Sequence, residues 1–139
     1  QAAAVGVGQS MYAIRDYTET NTLGTAVLLE RILANHRDRL RRIVVASSMS
    51  IYGEGRYRDP ATGVLVEPKP RTQEQLAAGH WEPFIPGTAR AAEPVPCDEH
   101  KPLAPTSIYA INKRDQEEMV LAIGAAYDIP TVALRYFNV

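Results

Sequence analysis

The sequence predicts an α/β fold, part of a parallel sheet with helices packed on it. Three observations predict it. Two β-branched apolar runs, Ile43-Val-Val-Ala-Ser47 and Thr131-Val-Ala-Leu-Arg135, are continuous enough for strands covered on both faces. Each follows a segment whose apolar residues recur at helical spacing, 10–38 and 106–127. Alternation of helix and strand is the pattern of parallel sheets.

The elements follow in order. Val5-Gly-Val-Gly-Gln-Ser10 reads as a loop, with Ser10 placed to cap the helix that follows. In that helix Leu23, Val27, Leu28, Ile32 and Leu33 form one apolar stripe, and Glu30, Arg31, Arg37 and Asp38 take the wet side. A basic linker, 39–42, leads into the first strand, which ends in Ser47-Ser-Met-Ser50. Residues 54–105 are an irregular insertion holding nine of the chain's 10 prolines, with a short strand expected at Val64–Val66 and a short helix at Thr72–Ala78. Thr106 or Ser107 caps the second helix. Ile108, Ile111, Met119 and Ile123 supply its apolar positions, and Lys113, Arg114, Asp115, Glu117 and Glu118 its polar ones. Asp128-Ile-Pro130 ends it, because proline cannot continue a helix. Three parts result: 1–53, 54–105 and 106–139.

Composition narrows the class. The chain has 139 residues and a net charge of -1, which gives no basic surface for nucleic acid. No stretch reaches the roughly 18 apolar residues of a membrane span, and the N-terminus lacks the basic region of a signal peptide. Cys97 is the single cysteine, and His36, His80 and His100 are scattered, so no metal site is expected. A reducing, cytoplasmic setting is the default. Two strands are few for a sheet. The chain also starts without methionine and stops at Arg135-Tyr-Phe-Asn-Val139, so a fragment is expected, with further strands before Gln1.

The candidate chemistry lies in Tyr109-Ala-Ile-Asn-Lys113. Residues four apart share a helix face. An ammonium near a phenol favours phenolate, which makes a proton donor and acceptor usable near neutral pH. Alone, such a pair is more often a surface Tyr and Lys on an amphipathic helix. Context strengthens it. Ser47-Ser48-Met49-Ser50 and Arg135-Tyr-Phe-Asn138 end the two strands on the edge where open α/β sheets bind ligands.

These stretches, with Gln1-Ala-Ala-Ala4 and Asn21-Thr-Leu-Gly-Thr25, make the chain resemble the middle of an extended short-chain dehydrogenase/reductase, the NAD-dependent epimerase/dehydratase family acting on nucleotide sugars. Residues 54–95 lie outside the family's motifs. The wording of Val5–Tyr12 and Ala46–Gly55 is most similar to the dTDP-L-rhamnose 4-epimerase-like subgroup. The resemblance implies the C-terminal half of a Rossmann-type NAD-binding sheet. It implies Tyr109 as acid/base on the sugar hydroxyl, Lys113 as its partner and holder of the nicotinamide ribose, and Ser48 as hydrogen-bond partner of the reacting oxygen. It also places Gln1, Ala2, Ala3, Asn21 and Phe137 along the cofactor, with Ser48, Tyr109 and Lys113. Met49, Ser50 and Asn138 would join Ser48 at the nucleotide sugar. Family 4,6-dehydratases carry Asp and Glu where this chain has Met49 and Ser50, so the resemblance favours epimerisation, by transient oxidation to a keto-sugar. It implies a homodimer through the helices near 10–38 and 106–127.

Two other readings stand beside it. One is a decarboxylase, reductase or other dehydratase with the same Tyr/Lys core. The other is a truncated relative that serves only as a dimerisation or binding module. The glycine-rich phosphate loop is absent, since Val5-Gly-Val-Gly-Gln-Ser10 has two glycines and no strand before it. This chain by itself is therefore expected to bind NAD weakly and to be inactive. Titration with NAD followed by calorimetry tests this, and micromolar binding would contradict it.

Overall fold

A computed structural model describes residues 3–137. The chain divides into two compact units, Gln1–Gly53 with Leu103–Val139, and Glu54–Pro102.

The first unit is built on a parallel pair. Strand β1 (Ile43–Ser48) pairs with β5 (Thr131–Tyr136) in the register Ile43 to Thr131 through Ser48 to Tyr136. Helix α5 (Ile108–Ala126) packs against both strands. Before β1 come a single turn α1 (Val7–Ser10), a short α2 (Ile14–Tyr17), a π-helical turn Thr18–Leu23, and α3 (Gly24–His36). The α/β expectation therefore holds, with a correction at the start. The long helix begins at Ile14 rather than at Ser10, which closes the separate turn α1. The π-turn widens the helix where Asn21 sits, fully buried.

The expected burial is corrected as well. Leu29 is the buried apolar residue of α3, while Leu23, Val27 and Leu28 are exposed. The strands are covered on one face only, because Val44, Val132 and Leu134 stay exposed opposite the α5 side. Leu28, Leu29 and Ile32 instead line a groove of about 560 Å³ with Ile43–Ala46, Ala3, Lys113 and Val120.

Two glycines set close approaches. Gly53 leaves the 3-10 turn Met49–Tyr52 with φ 69°, and a Cβ there would lie 2.0 Å from the Ala104 carbonyl oxygen. Gly124 lets α5 descend onto β5, since a Cβ there would lie 2.1 Å from Thr131 Oγ1. Asp128, at φ 55°, then turns the chain in the left-handed region, and the Ile129 amide donates to the Gly124 carbonyl at 2.8 Å. The helix thus stops before Pro130.

The second unit is an antiparallel sheet of β2 (Arg56–Arg58) between β3 (Leu65–Val66) and β4 (Glu93–Val95), with α4 (Gln73–Ala77). Tyr57, Ile85 and Ala92 form its core, with Val66 against them. Thr72 caps α4 by accepting from the Gln75 amide at 3.1 Å. Burial, then a hydrogen bond to Glu54, pushes the Tyr57 phenol up to about 12. Bidentate Arg58–Glu93 and Arg90–Asp59 contacts join its strands and turns. The region expected to be irregular is thus partly ordered as sheet. Pro94 concealed β4, which tolerates it as an edge strand.

Gly124→Ala is expected to destabilise the chain by about 2 kcal/mol, despite alanine's helix preference, because overpacking outweighs a propensity gain of about 1 kcal/mol. Urea denaturation measures it, and an unchanged or raised midpoint would contradict the close approach.

Candidate active site

Ser48 ends β1 and caps the 3-10 turn that follows. Its Oγ accepts from the Ser50 amide at 3.2 Å and the Ser50 hydroxyl at 2.9 Å. With both contacts received, its own proton is left to donate outward. Met49 and Ser50 lie in the same turn, half-buried.

Tyr109 lies in the first turn of α5, half-buried. Two serines hold that turn. Ser107, the N-cap, accepts from the Ala110 amide at 3.1 Å, and Ser10 Oγ accepts from the Tyr109 amide at 3.0 Å. Ser10 therefore caps α5 rather than the helix that follows it in sequence, which corrects the sequence-based expectation.

Lys113 is one turn further on and almost fully buried. Its Nζ donates to the Ala46 carbonyl at 2.9 Å, on the strand that carries Ser48. Burial lowers its pKa, because the charged form loses hydration. Glu117, another turn along, is buried too. It forks onto Arg135 of β5, with Glu117 Oε1 2.6 Å from Arg135 Nη2 and 3.1 Å from Nε. Burial is the largest single influence and works to raise the Glu117 pKa, but the hydrogen bonds from Arg135 and Ser47 and the Arg135 charge together outweigh it and hold the carboxyl below the usual range. The Arg135 pKa is raised in turn, chiefly by its hydrogen bonds to Glu117. Arg135 Nη1 also donates to the Tyr52 hydroxyl at 2.7 Å, and the guanidinium lies 5.0 Å from the Tyr52 ring centroid. The Phe137 ring is 6.4 Å from that of Tyr52.

The remaining expected residues divide. Ala3 lines the groove beside Ala46 and Lys113. Asn21 does not face open space. Its amide is spent on Ala4, accepting from the Ala4 amide and donating to the Ala4 carbonyl, both at 3.0 Å. It braces the segment expected to pass along the cofactor. Gln1, Ala2 and Asn138 lie outside the described residues.

Sequence reasoning missed Ser10, Tyr52, Glu117 and Arg135. A usable signal existed for Glu117. Tyr109, Lys113 and Glu117 recur every four residues, on the face that also carries the buried Val120. Lys113 and Glu117 had been placed on the helix's polar side.

This edge sets a Ser-bearing strand end and a Tyr-xxx-Lys helix on one parallel α/β unit, the arrangement that the sequence resemblance implies. Comparison with known proteins agrees. The NAD dependent epimerase/dehydratase family model matches residues 1–78 and 87–139. The chain belongs to that family. The match runs through residue 78, further into the 54–95 stretch than the motifs reached.

A dTDP-L-rhamnose 4-epimerase of Burkholderia thailandensis is 34% identical over 138 residues, which is 99% of this chain and 36% of that protein. A UDP-glucose 4-epimerase of Azospirillum brasilense is 33% identical over 84% of this chain and 34% of its own length. The crystal structure of the Brucella ovis UDP-glucose 4-epimerase in complex with NAD superposes with a TM-score of 0.64 at 24% identity, over 99% of this chain and 30% of that one. The fold is thus the Rossmann type, and the chain spans about a third of the length of these relatives. Among the described residues, no helix is long and apolar enough to cross a membrane.

Glu117→Gln is expected to cost about 2 kcal/mol, since it leaves the half-buried Arg135 guanidinium without its charge partner. The sign with pH follows from the depressed carboxyl. Its stabilisation is present above the unfolded glutamate value and lost as pH falls through the lower folded one. Denaturation midpoints from neutral pH into acid should therefore fall less steeply in the variant than in the parent. Parallel acid profiles would contradict this.

Proposed function

We propose that this chain carries the proton-transfer site of an NAD-dependent nucleotide-sugar epimerase. The observation that supports it is the bond from the Lys113 ammonium, one turn past Tyr109 on α5, to the Ala46 carbonyl of β1, two residues before Ser48 ends that strand. Two relatives of about one-third identity are 4-epimerases of a dTDP-sugar and a UDP-sugar, which supports the substrate class.

The residues fit the cofactor. Ala3, Ala46 and Lys113 share one groove, where two small side chains leave room beside a buried ammonium. In this reading Lys113 would hold the ribose hydroxyls, with Ala3 and Phe137 nearby. When bound, NAD supplies the hydride acceptor and donor. Tyr109 takes the proton of a sugar hydroxyl as that carbon is oxidised to the ketone. It returns the proton when the carbon is reduced on its opposite face. Ser48, whose hydroxyl already accepts from Ser50, donates to the reacting oxygen throughout. Met49 and Ser50 supply no carboxyl to eliminate water, which favours an epimerase over a 4,6-dehydratase.

The same reading includes a homodimer and a reducing, cytoplasmic setting. Exposed Leu23 and Val27 on the first helical stretch, and Ile111 on α5, support an interface through these helices.

In the complete protein, Tyr109→Phe should lower turnover of a dTDP- or UDP-hexose by about a hundredfold or more, with the fold intact. NMR of the sugar product measures the inversion. Parental turnover in the variant would overturn the reading.

A further inference from the structure

Ser10 is fully buried, yet it belongs to none of the expected site residues. Its hydroxyl donates to the Val7 carbonyl at 2.6 Å, so its proton is committed and a lone pair remains for the Tyr109 amide. The two residues are 99 positions apart in sequence. Tyr109 is the second residue of α5, where backbone amides have no partner within the helix. Ser107 satisfies the next amide, that of Ala110, as an ordinary N-cap does. The Tyr109 amide is taken by a residue from another part of the chain.

That outside residue is itself held firmly. The Tyr17 hydroxyl donates to the Val5 carbonyl at 2.6 Å, and the Asn21 amide brackets Ala4. Tyr17 and Asn21 are both buried. The Ser10 amide donates to the Gly6 carbonyl at 3.2 Å. The loop therefore presents the Ser10 oxygen from a fixed position. First turns of helices are otherwise the part that frays.

We infer that Ser10 is a positioning residue for Tyr109, pinning the first turn of α5 so that the phenol keeps its place relative to Ser48. The inference rests on Tyr109 being the acid/base, since proton transfer is sensitive to displacements of about 1 Å.

The test uses the complete protein with Ser10→Ala, Ser10→Thr and Tyr109→Phe. Turnover is expressed per bound NAD, so that a smaller folded fraction does not count as slower chemistry. Ser10→Ala should lower kcat about tenfold with KM for the nucleotide sugar within about twofold, and Ser10→Thr, which keeps the acceptor, should recover most of the loss. In the same Ser10→Ala protein the Tyr109 amide should exchange with deuterium about tenfold faster, while Ala110 keeps its protection. This second readout decides the matter if the threonine does not fit the buried site. Parental kcat per bound NAD, or unchanged Tyr109 exchange, would overturn the role of Ser10. An active Tyr109→Phe protein would instead remove the reading on which it rests.

Discussion

The site depends on how closely helix α5 approaches the two parallel strands. Gly124 sets the approach at one end, where no side chain fits beside Thr131. Lys113 and Glu117 set it in the middle, by reaching the Ala46 carbonyl of β1 and the Arg135 guanidinium of β5. These polar ties run across a face that would ordinarily be apolar. Lys113 and Glu117 are buried there, and on the neighbouring side of α5 Asn112 and Gln116 are buried against the stretch 18–25. Burying charge costs free energy, and a hydrophobic face would commonly be as stable. A helix built this way is better explained by what it positions than by the stability it adds.

The segment before the long helix serves the same end by other means. It has little regular structure, only the single turn α1, so side chains fasten it. Asn21 holds Ala4, Tyr17 holds Val5, and Ser10 joins Val7 to the start of α5. The π-helical turn also brings Asn21 and Thr25 to the Gln116 amide, which donates to the Asn21 carbonyl at 3.1 Å and to Thr25 Oγ1 at 2.7 Å. The two halves of the site are thus joined by polar contacts spanning about 90 or more residues of sequence.

Much of the fold was legible in the sequence, because β-branched runs and helical spacing are local signals. β1, β5 and α5 stand close to their expected bounds for that reason. The short strands β2 and β4 carry too few residues for a period, and Pro94 argued against one of them. At the site, Tyr109, Lys113 and Ser48 were legible as a pattern of residue types. Ser10 was not, because its role comes from a contact made far along the chain. The apolar stripe expected for the first long helix does not mark burial, since the buried Leu29 lies outside it. Leu23, Val27 and Leu28 remain exposed, and only tertiary packing decides that.

A crystal structure of the complete protein with a dTDP- or UDP-hexose bound tests the central claim most directly. The account predicts one sugar hydroxyl within about 3.2 Å of both the Tyr109 phenol oxygen and the Ser48 Oγ. A sugar bound with its ring away from both oxygens, or touching one while the other faces solvent, would contradict it.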